Sequence, residues 1–220
     1  MTMHSHPSDE TLARYAAGTL AAGPALVVAT HLEGCAACRR AVAGFTAAAA
    51  AMMEQLAPVP MSDDALALAL ARIERPEPRP VRTGPSLPSE LVAGDIRIPL
   101  PAALATRAIG RWRWIGPGVR FSKVEVPEDP TSNVILLWVK PGTRLPEHGH
   151  GGTEFTQILH GSYFDGIARY RAGDMQEAGE DLEHQPVVDA DGECICLAAV
   201  VGGMRPTGMI GALLRPFLPM

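Results

Sequence analysis

Two patterns of hydrophobic positions divide the chain. In the first third, apolar residues such as Leu66, Leu70 and Ile73 recur at helical spacing within alanine-rich sequence, which favours helix. Further along, short apolar runs such as 133–140 and 194–201 are rich in β-branched residues and bounded by Gly, Pro and Asp, which predicts buried strands. The pattern therefore predicts an α+β protein of two domains, the first helical and the second all-β.

A proline-rich segment separates the two patterns. Residues 75–88 contain five prolines, and this density favours an extended linker. We therefore predict a helical domain over 1–74, a linker over 75–90 and a β domain over 91–220. The 220-residue length suits two domains of this size.

Four helices are predicted in the first domain. They run over about 9–17, from 24 to 31 or 35, over 38–56 and over 63–73. Ser8 is expected to cap the first helix, Pro24 to lie in the first turn of the second, and Ser62 to cap the fourth. A domain of about 75 residues so rich in alanine has a thin core, so it needs a metal, a staple or a partner to be stable.

Charge and composition narrow the class of protein. A net charge of −5 argues against binding nucleic acid through a basic face. The sequence contains no apolar run of the roughly 20 residues that a membrane span needs, and its start lacks the features of a secretory signal. Four cysteines are too few for a disulfide scaffold. We expect a cytoplasmic protein without a membrane partner and without direct binding to nucleic acid.

The first motif with metal-binding chemistry is H-x3-C-x2-C, formed by His31, Cys35 and Cys38. Positions i, i+4 and i+7 share one helix face or a helix-to-turn corner, and C-x2-C lets two thiolates bind one zinc ion. A fourth ligand is available from His6 or His4, and His6 is preferred because the proline after it restricts the backbone. The alternatives are an exposed histidine beside two buried thiols, and a thioredoxin-like dithiol, which would need a βαβ context.

The second motif, G-x5-H-x-H-x3-E-x6-G, runs from Gly142 to Gly161. His148 and His150 are two positions apart, so their side chains point to the same face of a strand. Glu154 follows after a Gly-Gly bend and is expected on the adjacent strand. The terminal glycines are expected at turns.

His184 is the natural third histidine for this second site. Three imidazoles and one carboxylate suit zinc, iron, manganese, nickel or copper, and the ligand types alone do not choose among them. The alternative is a polar, histidine-rich loop that binds no metal.

These motifs resemble those of known families. The second motif resembles the first signature of the cupin superfamily, and Gly173 and His184 resemble part of its second signature. That second signature is degenerate, with Gly179, Asp181 and Val188 in place of its usual proline, glycine and asparagine. The first motif resembles that of the zinc-binding anti-sigma domain. A helical domain of this kind, a linker and a cupin, in that order, resemble the ChrR family of anti-sigma factors.

The resemblance implies a small four-helix domain stabilised by zinc, followed by a jelly-roll-like cupin barrel. It implies a negative regulator of transcription that binds a group IV (extracytoplasmic-function, ECF-type) sigma factor and releases it under oxidative stress, such as singlet oxygen or organic hydroperoxide. The implied zinc ligands of the helical domain are His6, His31, Cys35 and Cys38. The implied ligands of the cupin metal, zinc or another divalent transition metal, are His148, His150, Glu154 and His184.

A thin helical domain is expected to present apolar faces to a partner protein. The candidate partner residues are Leu12, Tyr15, Ala16, Leu20, Leu66, Leu70 and Ile73. The alternative is that these faces pack on one another as an ordinary core.

Two questions stay open at the level of sequence. Cys194 and Cys196 lie on one face of a predicted strand, either as buried reduced thiols or as a pair oxidised during signalling. A metal-dependent cupin enzyme, of dioxygenase or isomerase type, is the alternative to a regulator. The added zinc-binding helical domain favours the regulator.

Overall fold

The computed structural model describes residues 3–75 and 88–201, except the side chain of His150, and the backbone of 204–206. Four helices come first: α1 Asp9–Ala16, α2 Ala22–Gly34, α3 Ala36–Glu54 and α4 Ala65–Glu74. The Ser8 side chain caps α1 by accepting a hydrogen bond from the backbone N–H of Thr11 at 3.2 Å, as predicted. The predicted cap of α4 is wrong, because a turn from Ser62 to Ala65 precedes the helix and places Asp64 at the cap position.

Strands are the main regular elements of the remainder. Their bounds are β1 Glu90–Ala93, β2 Ile96–Pro99, β3 Arg113–Gly116, β4 Val119–Lys123, β5 Asn133–Val139, β6 His148–His150, β7 Glu154–His160, β8 Ser162–Phe164, β9 Arg169–Arg171, β10 Met175–Ala178, β11 Val187–Val188, β12 Cys194–Val200 and β13 Met204–Pro206. A short fifth helix, α5 Ala102–Ala105, lies between β2 and β3, and the sequence pattern did not predict it. The two-domain α+β class is confirmed.

Antiparallel pairing organises these strands into sheets. The main sheet has the order β10-β7-β12-β5-β4-β3, a three-stranded sheet has the order β11-β8-β9, and β6 pairs with β13. The turn between β7 and β8 requires glycine at Gly161, whose φ is +71° and where a Cβ atom would lie 2.1 Å from the carbonyl oxygen of Glu193. Gly142 also has a positive φ, so both terminal glycines of the second motif lie at turns, as predicted.

The two faces of the main sheet have different roles. On β12, Cys194 and Cys196 pack with Ile158 and Tyr163 in a cluster between the main and three-stranded sheets. The alternate residues of β12 pack in the other cluster, which also contains helix residues. This alternation follows from the two-residue period of a strand. One face therefore lines the β interior and the other supports the helices.

The helical part packs directly on the β part. Helix α2 lies against β7, β12 and α5, and its Leu26, Val27 and Val28 belong to the same buried cluster as Leu197. Helix α2 buries residues on several of its sides, as expected of a helix that is apolar nearly all round. The sequence pattern predicts a linker but does not predict that the two parts share a core.

The predicted partner residues divide into two groups. Leu12 is only 2% exposed and belongs to the core, so the prediction that Leu12 is available to a partner is wrong for this structure. The reason is that α1 packs against α3. Tyr15, Ala16 and Leu20 are half-buried, and their role in partner binding stays a prediction. Helix α4, in contrast, buries none of its residues.

Most of the predicted linker, 76–87, lies outside the described residues. The bounds 1–74 and 91–220 stay a prediction. Among the described helices, none is both long and apolar enough to cross a membrane.

Two candidate metal sites

The first site brings together the four predicted zinc ligands. His31 lies in the last turn of α2, Cys35 at the junction of α2 and α3, Cys38 in the first turn of α3, and His6 in the segment before α1. One potential ligand atom from each of the four lies within 4.8 Å of the other three. His6 Nδ1 is 3.4 Å from His31 Nε2, 3.4 Å from Cys35 Sγ and 3.5 Å from Cys38 Sγ.

This donor set fits zinc. Two imidazole nitrogens and two sulfurs at these spacings suit a tetrahedral ion bound at about 2.0–2.3 Å. Burial, together with hydrogen bonding to the neighbouring Cys35 sulfur, raises the pKa of Cys38 to about 12, so without a cation the buried thiol stays protonated. Burial also lowers the pKa of His31 below its usual range, although a hydrogen bond with Gln157 opposes this, and the neutral imidazole is the form that binds metal.

The segment that carries His6 is held by the β part. The backbone N–H groups of His4 and Ser5 donate to Asp174 Oδ1 at 2.7 and 3.2 Å, and the Met175 N–H donates to the carbonyl oxygen of Ser5 at 3.1 Å. His6 rather than His4 joins the ligand cluster.

Glu177 on β10 makes a second connection to the helical part. Its carboxylate accepts hydrogen bonds from the Ser8 backbone at 2.9 Å, the Ser8 hydroxyl at 3.1 Å and the Thr11 hydroxyl at 2.7 Å. A carboxylate at this position also interacts favourably with the N-terminal end of the α1 dipole.

The second site lies in the β part. His148 and His184 face each other across an antiparallel bridge, in which each backbone N–H donates to the other residue's carbonyl at 3.1 Å. Their Nε2 atoms are 3.2 Å apart, and Glu154 Oε2 lies 3.9 Å from His148 Nε2 and 3.6 Å from His184 Nε2. The three predicted ligands thus converge on one point, and the fourth, His150, has its backbone in β6 and its side chain outside the described residues.

The surroundings of this cluster favour metal binding through Nε2. His148 Nδ1 lies 2.8 Å from the carbonyl oxygen of Pro146, and this hydrogen bond fixes the proton on Nδ1, so Nε2 is the nitrogen that would coordinate a metal. Burial lowers the pKa of His148, but the hydrogen bond and negative charge of Glu154 outweigh burial and raise it above its usual range. His184 Nδ1 lies 3.5 Å from the amide of Gln176. The imidazole and carboxylate donors suit several divalent transition metals.

Cys194 and Cys196 are both buried and unpaired. Hydrogen bonding between the two thiols, together with burial, raises the pKa of Cys196 well above its usual range. Cys196 therefore favours the protonated, unreactive form. The structure supports the interpretation of this pair as buried reduced thiols.

Sequence reasoning missed the residues that connect the helical part to the β part. Gln157, Asp174 and Glu177 belong to no metal motif, and they contact residues more than a hundred positions away. Their signal in the sequence is weak, since a polar residue in a strand usually indicates a solvent-facing position.

A four-ligand cluster of zinc-finger type in the helical part, joined to a β-rich domain with a His/Glu cluster, defines a two-domain α+β protein with two candidate metal sites. Residues 102–200 match the family model "ChrR Cupin-like domain", and residues 9–39 match the model "Putative zinc-finger". The anti-sigma-E factor ChrR of Cereibacter sphaeroides is 38% identical over 220 residues, which cover 99% of each chain.

Comparison with solved structures also shows similarity to ChrR. The crystal structure of Rhodobacter sphaeroides SigE in complex with the anti-sigma ChrR matches with a TM-score of 0.73 and 36% identity, over 91% of this chain and 100% of that chain. The chain belongs to the ChrR family of anti-sigma factors. This membership confirms the class of regulators over the alternative of a metal-dependent enzyme.

Proposed function

We propose that the chain binds a group IV sigma factor and keeps it from RNA polymerase. The observation that carries this proposal is the exposed apolar surface of α4. Leu66 is 71% exposed, Leu70 is 50% exposed and Ile73 is 80% exposed. An exposed apolar patch of this extent on a soluble domain favours a protein-binding site, and an apolar helix face typically docks in a groove of its partner.

The apolar surface extends beyond α4 into the preceding segment. The exposed large hydrophobic residues from the end of α3 to α4 are Met52, Met53, Leu56, Val59, Met61, Leu66, Leu68, Leu70 and Ile73. Within the described residues, no side chain of α4 is buried against the rest of the chain. A sigma factor is the occupant that family membership supports, because the solved relative is an anti-sigma ChrR in complex with SigE.

In this proposal, zinc bound by His6, His31, Cys35 and Cys38 stabilises the helices that present the binding surface. The helical part contributes few large buried side chains to the core, among them Leu12, Leu26, Val27 and Val28. A structural zinc ion supplies folding free energy that such a core lacks.

We further propose that the β domain senses oxidative stress, such as singlet oxygen or organic hydroperoxide, in the cytoplasm. His148, His150, Glu154 and His184 would hold the metal, zinc or another divalent transition metal. Support comes from the convergence of three of these side chains inside the β part and from the family resemblance. The bound metal would fix the strands that carry its ligands.

Affinity capture tests the sigma-binding proposal. The bait is the tagged, zinc-loaded full chain, and mass spectrometry identifies the proteins that it retains from the source organism. We expect a group IV sigma factor that is absent from a tag-only control. Retention of no sigma factor by a folded, zinc-replete bait would refute the proposal.

Sensing is tested separately, with His148→Ala and His184→Ala combined. We expect the variant to bind sigma as tightly as the wild type but to keep it when a photosensitiser generates singlet oxygen or when hydroperoxide is added. Ser122→Ala, which removes the hydrogen bond from the buried Ser122 hydroxyl on β4 to the Gly110 carbonyl oxygen, is the matched control and should release sigma normally. Equal release by all three proteins would show that the metal cluster is not the sensor.

A further inference from the structure

A buried glutamine of the β domain contacts one of the zinc ligands. Gln157 Oε1 lies 2.9 Å from His31 Nδ1, and Gln157 is only 3% exposed. The amide nitrogen of Gln157 donates to the carbonyl oxygen of Ile158 at 3.1 Å, which orients the amide so that its oxygen points at the histidine. The contact joins residues 126 positions apart in the chain.

The contact with Gln157 determines which ring nitrogen of His31 carries the proton. His31 Nε2 faces His6 and the ligand cluster, so the proton of the neutral ring resides on Nδ1. The Nδ1–H then donates to the amide oxygen of Gln157. An acceptor in this position fixes the ring orientation and the tautomer and strengthens the imidazole as a ligand.

The strand that carries Gln157 is held firmly. In β7, Gln157 pairs with Met175 of β10 on one side and with Leu197 of β12 on the other. A central strand with neighbours on both sides places its side chains with little freedom, which suits a positioning role.

Strand β7 also carries a residue of the second metal site. Glu154, three positions before Gln157, lies on the opposite face of the strand and belongs to the cluster with His148 and His184. The two metal sites therefore share one strand, with one side chain toward each site.

We propose that Gln157 is a positioning residue of the helical zinc site, through which the β domain holds that site in its metal-binding arrangement. The Asp174 carboxylate, which accepts from the His4 and Ser5 N–H groups, and the Met175 N–H, which donates to the Ser5 carbonyl oxygen, likewise hold the segment that carries His6. Two of the four zinc ligands thus depend on the β domain for their placement. A change in β7 would alter the zinc site that supports the sigma-binding helices, so Gln157 would also connect the β domain to the control of sigma binding. This regulatory consequence rests on the proposed sigma binding.

The test uses the full chain with Gln157→Leu, which removes the side-chain acceptor for His31, and Gln157→Glu, which keeps one. Zinc affinity is measured by competition with a chromophoric chelator, and Co²⁺ is used as a spectroscopic probe. The thiolate-to-cobalt absorption band reports the helical site alone, because the cluster in the β domain offers no cysteine ligand. Ser122→Ala is again the control, for loss of a side-chain hydrogen bond from another strand of the main sheet.

We expect the leucine variant to bind zinc about 10- to 100-fold more weakly, with a shifted cobalt band. The glutamate variant and Ser122→Ala should stay close to the wild type. If the leucine variant does not fold, Gln157→Met, of similar length and without a strong acceptor, takes its place. Wild-type affinity and spectrum in the variant without an acceptor, or an equal loss in Ser122→Ala, would overturn the proposal.

Sigma binding is measured on the same proteins at limiting and at saturating zinc. If Gln157 acts through the zinc site, the leucine variant binds sigma weakly at limiting zinc and regains binding at saturating zinc. Failure of the wild type to bind a sigma factor would refute the proposed function and leave the metal measurements to decide the role of Gln157.

Discussion

Replacing Cys35 and Cys38 together by serine is expected to abolish zinc binding at the helical site and to unfold α1 and α3. Each thiolate is one of four ligands, and a serine hydroxyl does not replace it. Structural zinc contributes roughly 10–16 kcal/mol of apparent binding free energy at pH 7, which exceeds the net stability of most small domains. Helix α1 packs mainly against α3, and the cysteines join α3 to α2.

The measurements are zinc content, the helical circular dichroism signal and thermal unfolding. The matched control is Cys194→Ala with Cys196→Ala, which removes two buried thiols outside both ligand clusters and should retain zinc and the helices. A serine variant with unchanged helical signal and melting temperature would contradict the structural role of the zinc site.

Replacing Leu66, Leu70 and Ile73 together by glutamine is expected to weaken sigma binding by about 100-fold or more. Hot-spot residues of an interface each contribute about 2 kcal/mol or more when truncated, and every 1.4 kcal/mol is a tenfold change in Kd. Glutamine has a helix propensity close to that of leucine, so α4 should persist. Since none of the three side chains is buried, the free energy of unfolding should change by less than about 0.5 kcal/mol.

Titration of the purified variant against the captured sigma factor gives the Kd. Ile167→Gln is the matched control, because Ile167 is 72% exposed, like the α4 residues, but lies in the β part. The control should bind sigma as the wild type does. Unchanged binding by the triple variant would place the sigma-binding surface elsewhere.

Much of the fold was predictable because local signals are strong in this chain. Ser8 and Gly18 mark the two ends of α1, and the apolar runs became the central strands β5 and β12. Helix α5 was missed because four residues are too few to show a helical period. The packing of α2 on the sheet was also not predicted. A proline-rich linker is compatible both with separate domains and with domains that share a core.

The metal-binding residues were predictable because chemistry restricts them. Only a few side chains bind transition metals, and the spacing from His31 to Cys38 and from His148 to Glu154 follows from helix and strand geometry. Gln157 was not predictable, because its partner His31 is distant in sequence and a glutamine carries no metal-binding signature. Leu12 was misassigned because helical spacing predicts an apolar face without saying whether a neighbouring helix or a partner covers it.

Transcription in vitro shows whether the chain inhibits a sigma factor by binding it. RNA polymerase and the captured sigma factor transcribe from a promoter that this sigma recognises, while the zinc-loaded full chain is titrated in. We expect transcription to fall to background at an equimolar ratio to sigma, and the glutamine variant of α4 to inhibit only at much higher concentration. Full transcription in the presence of excess zinc-loaded chain would show that the chain does not inhibit this sigma factor.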